Sequence, residues 1–396
     1  MATVVEISAT EGFILDDPVY GVLDTSELGG TVWKDVSSSL ITANINRGKS
    51  RRLDRFQPGR LSVTFNNENR RFDPNYTGSD LYGDIIPRRD VRVTVDGIAT
   101  YYGTINDYNF DYDPDSTSKA QLLASDDLSL LSRQFVTAGT VTQQLTGARV
   151  SAVLDMASVD WDPDRRSIDV GNSTLATEVL DGDENALDYL NKIATSEQGN
   201  LFVSKSGDLI FSDREDATPK SGSVTTFADD GTGIPYTRAR TNYGTELLIN
   251  TVTAKSSAGS ATALNQGSRT TYGVTSTELD TLLSDVTQLG NIASFYVAKY
   301  SVPEYRIESV EMNLNNLSSA QKNTVLGLEI SDITKFVFTP NGIGDPIEQF
   351  GQIINIDHKI RQDRHDVIIG VTSIDWTFLV LDDAQFGILD TAHLAF

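Results

Sequence analysis

Val91-Arg92-Val93-Thr94-Val95-Asp96-Gly97 alternates apolar and polar side chains over five residues and then stops at Asp-Gly. Period-two alternation marks a strand with one buried face. Asp-Gly is a strong two-residue hairpin signal, because both residues of that turn take positive φ. The pattern extends in both directions. Upstream, Leu61-Ser62-Val63-Thr64-Phe65 alternates and stops at Asn66-Asn67. Downstream come residues 100–103, 105–110 and 120–123, with the turn Asp113-Pro114-Asp115-Ser116 between the last two. Five or six strands within roughly a hundred residues predict a small antiparallel barrel or sandwich, placed at residues 32–135.

Beyond it the periodicity changes. Residues 184–196 predict an amphipathic helix with Leu187, Leu190, Ile193 and Ala194 on one face, Asp183 as cap and Gly199 after its end. A weaker helix is expected at 148–157. A hairpin follows at 201–203 and 209–211, turning at Ser206-Gly207-Asp208. These features define a mixed α/β unit over 136–237. Strands resume at 247–253, 307–314, 325–330, 333–338, 353–358 and 365–371. Between them, 259–273 reads as a Gly/Ser/Thr-rich loop. Thr275-Ser276-Thr277-Glu278 reads as a capping box opening a helix with Leu279, Leu282 and Leu283 inward. A second helical segment, 289–300, stops before Pro303. The third region, 238–375, is therefore a second β unit with a helical insertion at 259–303.

The two β units can be overlaid. In the first, a strand ends at Asn66-Asn67, followed by Leu81, Ile85, Asp90, the strand 91–95, Tyr102-Gly103-Thr104-Ile105 and a strand closing at Ala124-Ser125-Asp126. In the second, the corresponding features are Asn315-Asn316, Val325, Ile330, Asp332, the strand 333–338, Phe350-Gly351-Gln352-Ile353 and Thr372-Ser373-Ile374-Asp375. Antiparallel hairpins resemble one another in general. A true duplication has a mechanical consequence, because three such chains present six similar units to a six-fold ring. A second repeat links the ends. Leu15-Asp16-Asp17-Pro18-Val19-Tyr20-Gly21-Val22-Leu23-Asp24-Thr25 matches Leu381-Asp382-Asp383-Ala384-Gln385-Phe386-Gly387-Ile388-Leu389-Asp390-Thr391 in register. Segments this short cannot bury their own apolar side chains. Residues 1–31 and 376–396 are therefore expected to dock elsewhere through Leu15, Tyr20, Leu23, Leu381, Phe386 and Leu389.

Composition narrows the chemistry. The chain has 396 residues, no cysteine, three histidines and a formal net charge of −23. Disulfides, Cys-ligated metals and thiol nucleophiles are excluded, and a His-based site would need all its histidines from the last forty or so residues. An acidic chain is a poor stationary binder of nucleic acid, which requires Lys/Arg at its phosphates. It can still form a wall past which nucleic acid slides, and an acidic wall would repel the phosphates. No run approaches the ~20 apolar residues of a membrane span, and residues 1–12 lack the basic start of a signal peptide. The D-x-D-x-D stretches at Asp111 and Asp160 lack the Gly and Glu of a calcium loop. No catalytic motif is present, so neither an enzyme nor a cofactor site is expected. A host-glycan-binding β adhesin is the alternative, with a glycan or peptide hydrolase behind it.

One basic cluster breaks the acidity: Arg47-Gly48-Lys49-Ser50-Arg51-Arg52-Leu53-Asp54-Arg55. Aromatics are too sparse there for a base-stacking platform. Its arginines either pair with acidic neighbours around a solvated loop or pair with carboxylates across an assembly interface. Arg47, Arg51, Arg52 and Arg55 are the candidates for the latter. This cluster, with Phe56-Gln57-Pro58-Gly59, the strand 61–67 and Arg70-Arg71-Phe72-Asp73-Pro74, resembles the signature of minor tail proteins of long-tailed bacteriophages. The resemblance continues at Tyr82-Gly83-Asp84-Ile85, 101–105, 186–211 and 247–253. It implies a mainly β chain with α+β insertions: two antiparallel tube-like β-barrels plus two smaller mixed domains, in a phage tail-hub-like arrangement. It also implies a homotrimeric tail-tip or baseplate hub in the virion, assembled in the host cytoplasm. Its implied partners are the distal tail protein, the tail tube and tape-measure proteins, receptor-binding or fibre proteins, and viral DNA in transit. Some relatives carry a C-terminal peptidase or lysozyme-like domain, which this sequence is not expected to have.

Overall fold

The computed structural model describes residues 1–9, 31–113, 117–214 and 224–374. Leu15, Tyr20, Leu23, Leu381, Phe386 and Leu389 lie outside the described residues, as does the core of the turn at 114–116. The first region contributes β1 (Thr3–Ser8), β2 (Trp33–Asp35), β3 (Leu40–Gly48), β4 (Gln57–Asn66), β5 (Asp90–Val95), β6 (Ile98–Asp111), β7 (Lys119–Ser125) and α1 (Leu128–Leu131). Residues 3–8 were expected in a docking segment. Instead they pair with β5, because Val5 and Ile7 alternate into the same core as Val91 and Val93.

The middle region holds β8 (Gly139–Val141), β9 (Gln144–Leu145), α2 (Thr146–Leu154), β10 (Arg166–Ile168), β11 (Thr174–Leu175), β12 (Glu178–Leu180), α3 (Ala186–Glu197), β13 (Asn200–Val203) and β14 (Leu209–Ser212). Asn185 caps α3 by accepting from the backbone N–H of Leu187 and Asp188, two residues later than the expected cap. The last region holds β15 (Thr225–Ala228), β16 (Arg238–Tyr243), β17 (Thr251–Ser256), β18 (Gly259–Leu264), α4 (Gln266–Tyr272), β19 (Ser276–Asp280), α5 (Val286–Tyr300), β20 (Tyr305–Asn313), α6 (Ser319–Gly327), β21 (Ile333–Phe338), β22 (Ile347–Arg361) and β23 (His365–Ser373).

The two β regions share one connectivity. In the first, the order is β3-β4-β7-β6-β5; in the last, it is β16-β20-β23-β22-β21, antiparallel throughout. The match reaches single residues. Against its neighbour, β6 is bulged between Ile105 and Asp107, and β22 between Ile353 and Asn355. Arg88 and Ser331 precede β5 and β21 with φ of 73° and 75°. Each donates its N–H to the carbonyl of the isoleucine before the bulge, Ile105 or Ile353. By this register Asp90 corresponds to Ile333, one residue away from the sequence overlay.

The two units are joined edge to edge. Residues 42–48 of β3 pair antiparallel with residues 355–361 of β22, so both units form one thirteen-stranded sheet. Among the described residues this path is open, with β16 at one end and β2 at the other. One apolar core spans both units, including Ile45, Leu61, Val63, Phe65, Met312, Phe336, Ile356 and Val367. Each fully buried aliphatic or aromatic side chain there contributes about 1.5–3 kcal/mol. A second core joins α2, α3, β13 and β14 to β17 and α5. The insertion at 259–303 is thus half of a mixed α/β layer.

Three local expectations fail for tertiary reasons. Residues 276–280 form β19, parallel to β17, and not a helix. The capping-box pattern there is satisfied equally by an alternating strand, and helix α5 starts at Asp285, whose side chain accepts from Thr287 N–H. Residues 259–264 form β18 beside β17, and the expected loop continues as α4. Residues 325–330, expected as a strand, begin inside α6, which opens with a true capping box between Ser318 and Gln321.

His358 and His365 are buried, with His358 Nδ1 3.0 Å from His365 Nε2, and His358 pairs with Ile45 of β3 across the joint. Burial holds both imidazoles below their usual range, that of His365 at about 4. Protons therefore bind the unfolded chain first. The stability of this neutral pair is present above about pH 6.5 and is lost as pH falls toward 4. Urea titrations at pH 7 and pH 4.5 are expected to show a larger acid loss in the wild type than in His358→Gln/His365→Gln.

Candidate functional site

The surface with functional potential is the polar face of the sheet, and its geometry follows from pairing. Cross-strand partners share a face, so Asp366, Lys359, Asn44, Ser62, Leu123 and Asp107 form one continuous row across β23, β22, β3, β4, β7 and β6. A parallel row runs Glu311, Ile368, Asp357, Asn46, Arg60 and Ser125. The Asn46 amide donates to the Asp357 carboxylate across the joint, and Gln121 Nε2 donates to Ser62 Oγ at 3.0 Å. The face crosses from one unit to the other without a seam. Its charges are interleaved: Arg60, Lys119, Lys359 and Arg361 stand among Asp107, Asp111, Asp357 and Asp366. The acidic wall anticipated from net charge is not found on this face.

The basic cluster does a different job from the one anticipated for Arg47. Arg47 is buried and donates to the Val203 carbonyl of β13 at 2.9 Å and to Glu329 Oε1 at 2.6 Å. Glu329 Oε2 accepts from Lys205 N–H, and Lys205 Nζ donates to the carbonyls of Leu326, Gly327 and Leu328 at the end of α6. One guanidinium thus pins the first β unit, the mixed layer and the second β unit of its own chain. Arg52 donates to the Ser373 carbonyl at 2.5 Å and lies over the Tyr300 ring. Arg51 pairs with Glu246 and Arg55 with Asp188, both at exposed positions. Arg47, Arg51 and Arg55 thus have acidic partners within the chain, Arg52 has a carbonyl and a ring, and only Arg51 and Arg55 remain largely at the surface. Lys49 sits 4.4 Å from the Phe56 ring centroid, and burial, with Arg52 adding to it, lowers its ammonium to about 8.

Two glycines of the motif are fixed by close approach. A Cβ on Gly48, at φ +113°, would lie 2.1 Å from the Ile354 carbonyl oxygen, to which Lys49 N–H donates. A Cβ on Gly59 would lie 2.8 Å from Asp126 Oδ2, which accepts Gly59 N–H at 2.6 Å. Asp126 also accepts Leu128 N–H at 3.1 Å through Oδ1. In the sequence overlay Asp126 stands only as the end of a strand, and nothing there points to its contacts with Gly59 and Leu128.

Burial pushes the Asp126 carboxyl up to about 7, against the lowering effect of these hydrogen bonds and of Arg47. The folded state holds that proton while the unfolded chain has lost it. This group's contribution to stability therefore falls as pH rises from about 4 to 7. Asp126→Asn removes that slope. At acid pH it also lowers stability, on the order of 2 kcal/mol, because the amide NH2 replaces an oxygen that accepts from a buried N–H; this deficit shrinks as pH rises and the wild type loses its own contribution. Chemical denaturation between pH 4 and 8 measures both effects.

No family model and no curated protein sequence matches the chain. Solved structures do. The tail protein from Neisseria meningitidis MC58 superimposes with a TM-score of 0.60 at 11% identity, covering 94% of this chain and 96% of that one. The 43 kDa tail protein of prophage MuSo2 from Shewanella oneidensis gives 0.58 at 13% identity, covering 93% and 96%. The E. coli c3393 protein is a component of the type VI secretion system with structural similarity to the T4 bacteriophage tail proteins gp27 and gp5. It gives 0.51 at 10% identity, covering 85% and 74%. The duplicated sheet, the mixed layer beside it and these superpositions agree: this chain has the fold of phage tail proteins.

Proposed function

We propose that the chain is a structural component of a phage-type tail, a hub at the tail tip or baseplate in which three copies close into a ring. The carrying observation is the duplication: two units of identical strand order, bulged at the equivalent point of β6 and β22 and fused edge to edge. Three chains then offer six equivalent units, the number needed to continue a six-fold tube. The polar face would line the channel. Amides, hydroxyls and interleaved charges of both signs give DNA phosphates no continuous basic track to bind, so the genome passes without sticking. The outer layers and the exposed Arg51 and Arg55 are available to distal tail, tape-measure and receptor-binding proteins. No role in this scheme calls for a cofactor or for catalysis.

Sedimentation at rising concentration, followed by electron microscopy, tests this reading. The expected species has three times the mass of the 43.2 kDa chain and images as a ring with a central opening. A chain that stays monomeric at all concentrations, alone and with tail-tube protein, contradicts it.

A further inference from the structure

We propose that a second copy of this chain completes the sheet by laying its β16 antiparallel along the open edge of β6 at residues 107–111. The proposal rests on the ring reading above and names its joint. The precedent lies within the chain. Along one edge, β22 pairs first with β21 and then, past its bulge, with β3 from the other unit. Along the corresponding edge, β6 pairs first with β5. Past its bulge, no strand among the described residues follows. The strand equivalent to β3 is β16: Ala43 pairs with Val63, and Ala239 pairs with Val310 in the matching register. Among the described residues, β16 pairs only with β20, so its outer edge is open too.

Carrying the internal register across gives a specific match. The pair Lys359–Asn44 becomes Asp111–Arg240, and Arg361–Thr42 becomes Asp113–Arg238. All four of these side chains are exposed. Arg240 thus falls opposite Asp111 in the ladder, and Arg238 falls opposite Asp113, two residues past the end of β6. Opposite charges directly across a ladder favour that pairing, and like charges oppose it. The same charges disfavour β16 on β16 and β6 on β6, which leaves the head-to-tail arrangement that closes a ring. A second feature agrees. In the second unit the connection before β21 forms α6, which packs against β6 of the other unit. The corresponding connection in the first unit, before β5, exposes Tyr82 and Ile86, positioned to reach the neighbouring copy's β22.

The chain has no cysteine, so an engineered pair reports without background. Partners across an antiparallel ladder have Cα atoms about 4.5–5.5 Å apart, within disulfide reach. Oxidised Asp111→Cys/Arg240→Cys is expected to give covalent dimers and trimers on non-reducing denaturing gels. Asp111→Cys/Ala239→Cys, shifted one residue to the opposite face, should give several-fold less. In parallel, Arg240→Asp and Asp111→Arg should each weaken assembly at least tenfold, and the two together should restore it. Equal cross-linking by the shifted pair, or no cross-linking in a sample that sediments as an oligomer, overturns this joint while the ring reading stands. A sample that neither cross-links nor oligomerises at any concentration overturns both.

Discussion

The structure depends on the ladder between residues 42–48 and 355–361, which turns two β units into one sheet. That ladder needs an unusually close approach at Gly48, where any side chain would strike the Ile354 carbonyl. It also needs Arg47 to find partners once buried. An unpaired guanidinium at this depth would cost several kcal/mol; the Val203 carbonyl and Glu329 meet that cost and draw in the mixed layer and the end of α6. Three parts of the chain are therefore coupled at one point. The histidine pair lies on the same buried face, with His358 opposite Ile45, so the joint carries its own acid sensitivity.

Much of this was legible because strands with one wet face have a rigid period. The runs at 61–65 and 91–95 became β4 and β5, and Asp96-Gly97 became the turn between β5 and β6, with φ of 48° and 82°. The overlay of the two β regions was right in order and off by a residue or two at Asp90 and Asn66. Sequence alone does not locate bulges, and it is the bulges that set the register. What was missed has a common cause. Residues 276–280 carry a helix-start pattern, but β17 offered an unpaired edge and made them a strand. Residues 259–264 were polar enough to read as loop and were recruited by the other edge of β17. Neither edge is visible before the chain is folded. The Arg47 motif stood out, yet its purpose within one chain could not be told from a purpose between chains, because arginine serves both with the same chemistry.

Net charge was a poor guide to the face that matters. The excess of acid is spread over the molecule, while the sheet's polar face keeps both signs in alternation. A stronger charge asymmetry separates the free edge of β16, with its arginines, from the stretch of β6 past its bulge, with its aspartates.

The central claim, that two duplicated units behave as one sheet, is most directly tested by native-state amide hydrogen exchange across the joint. The account predicts that peptides covering residues 42–48 and 355–361 exchange only through global unfolding, with the same free energy and the same denaturant dependence as the interior strands β4 and β23. Exchange of both segments through a shared, smaller opening that leaves β4 and β23 protected would show two domains merely in contact, and would contradict it.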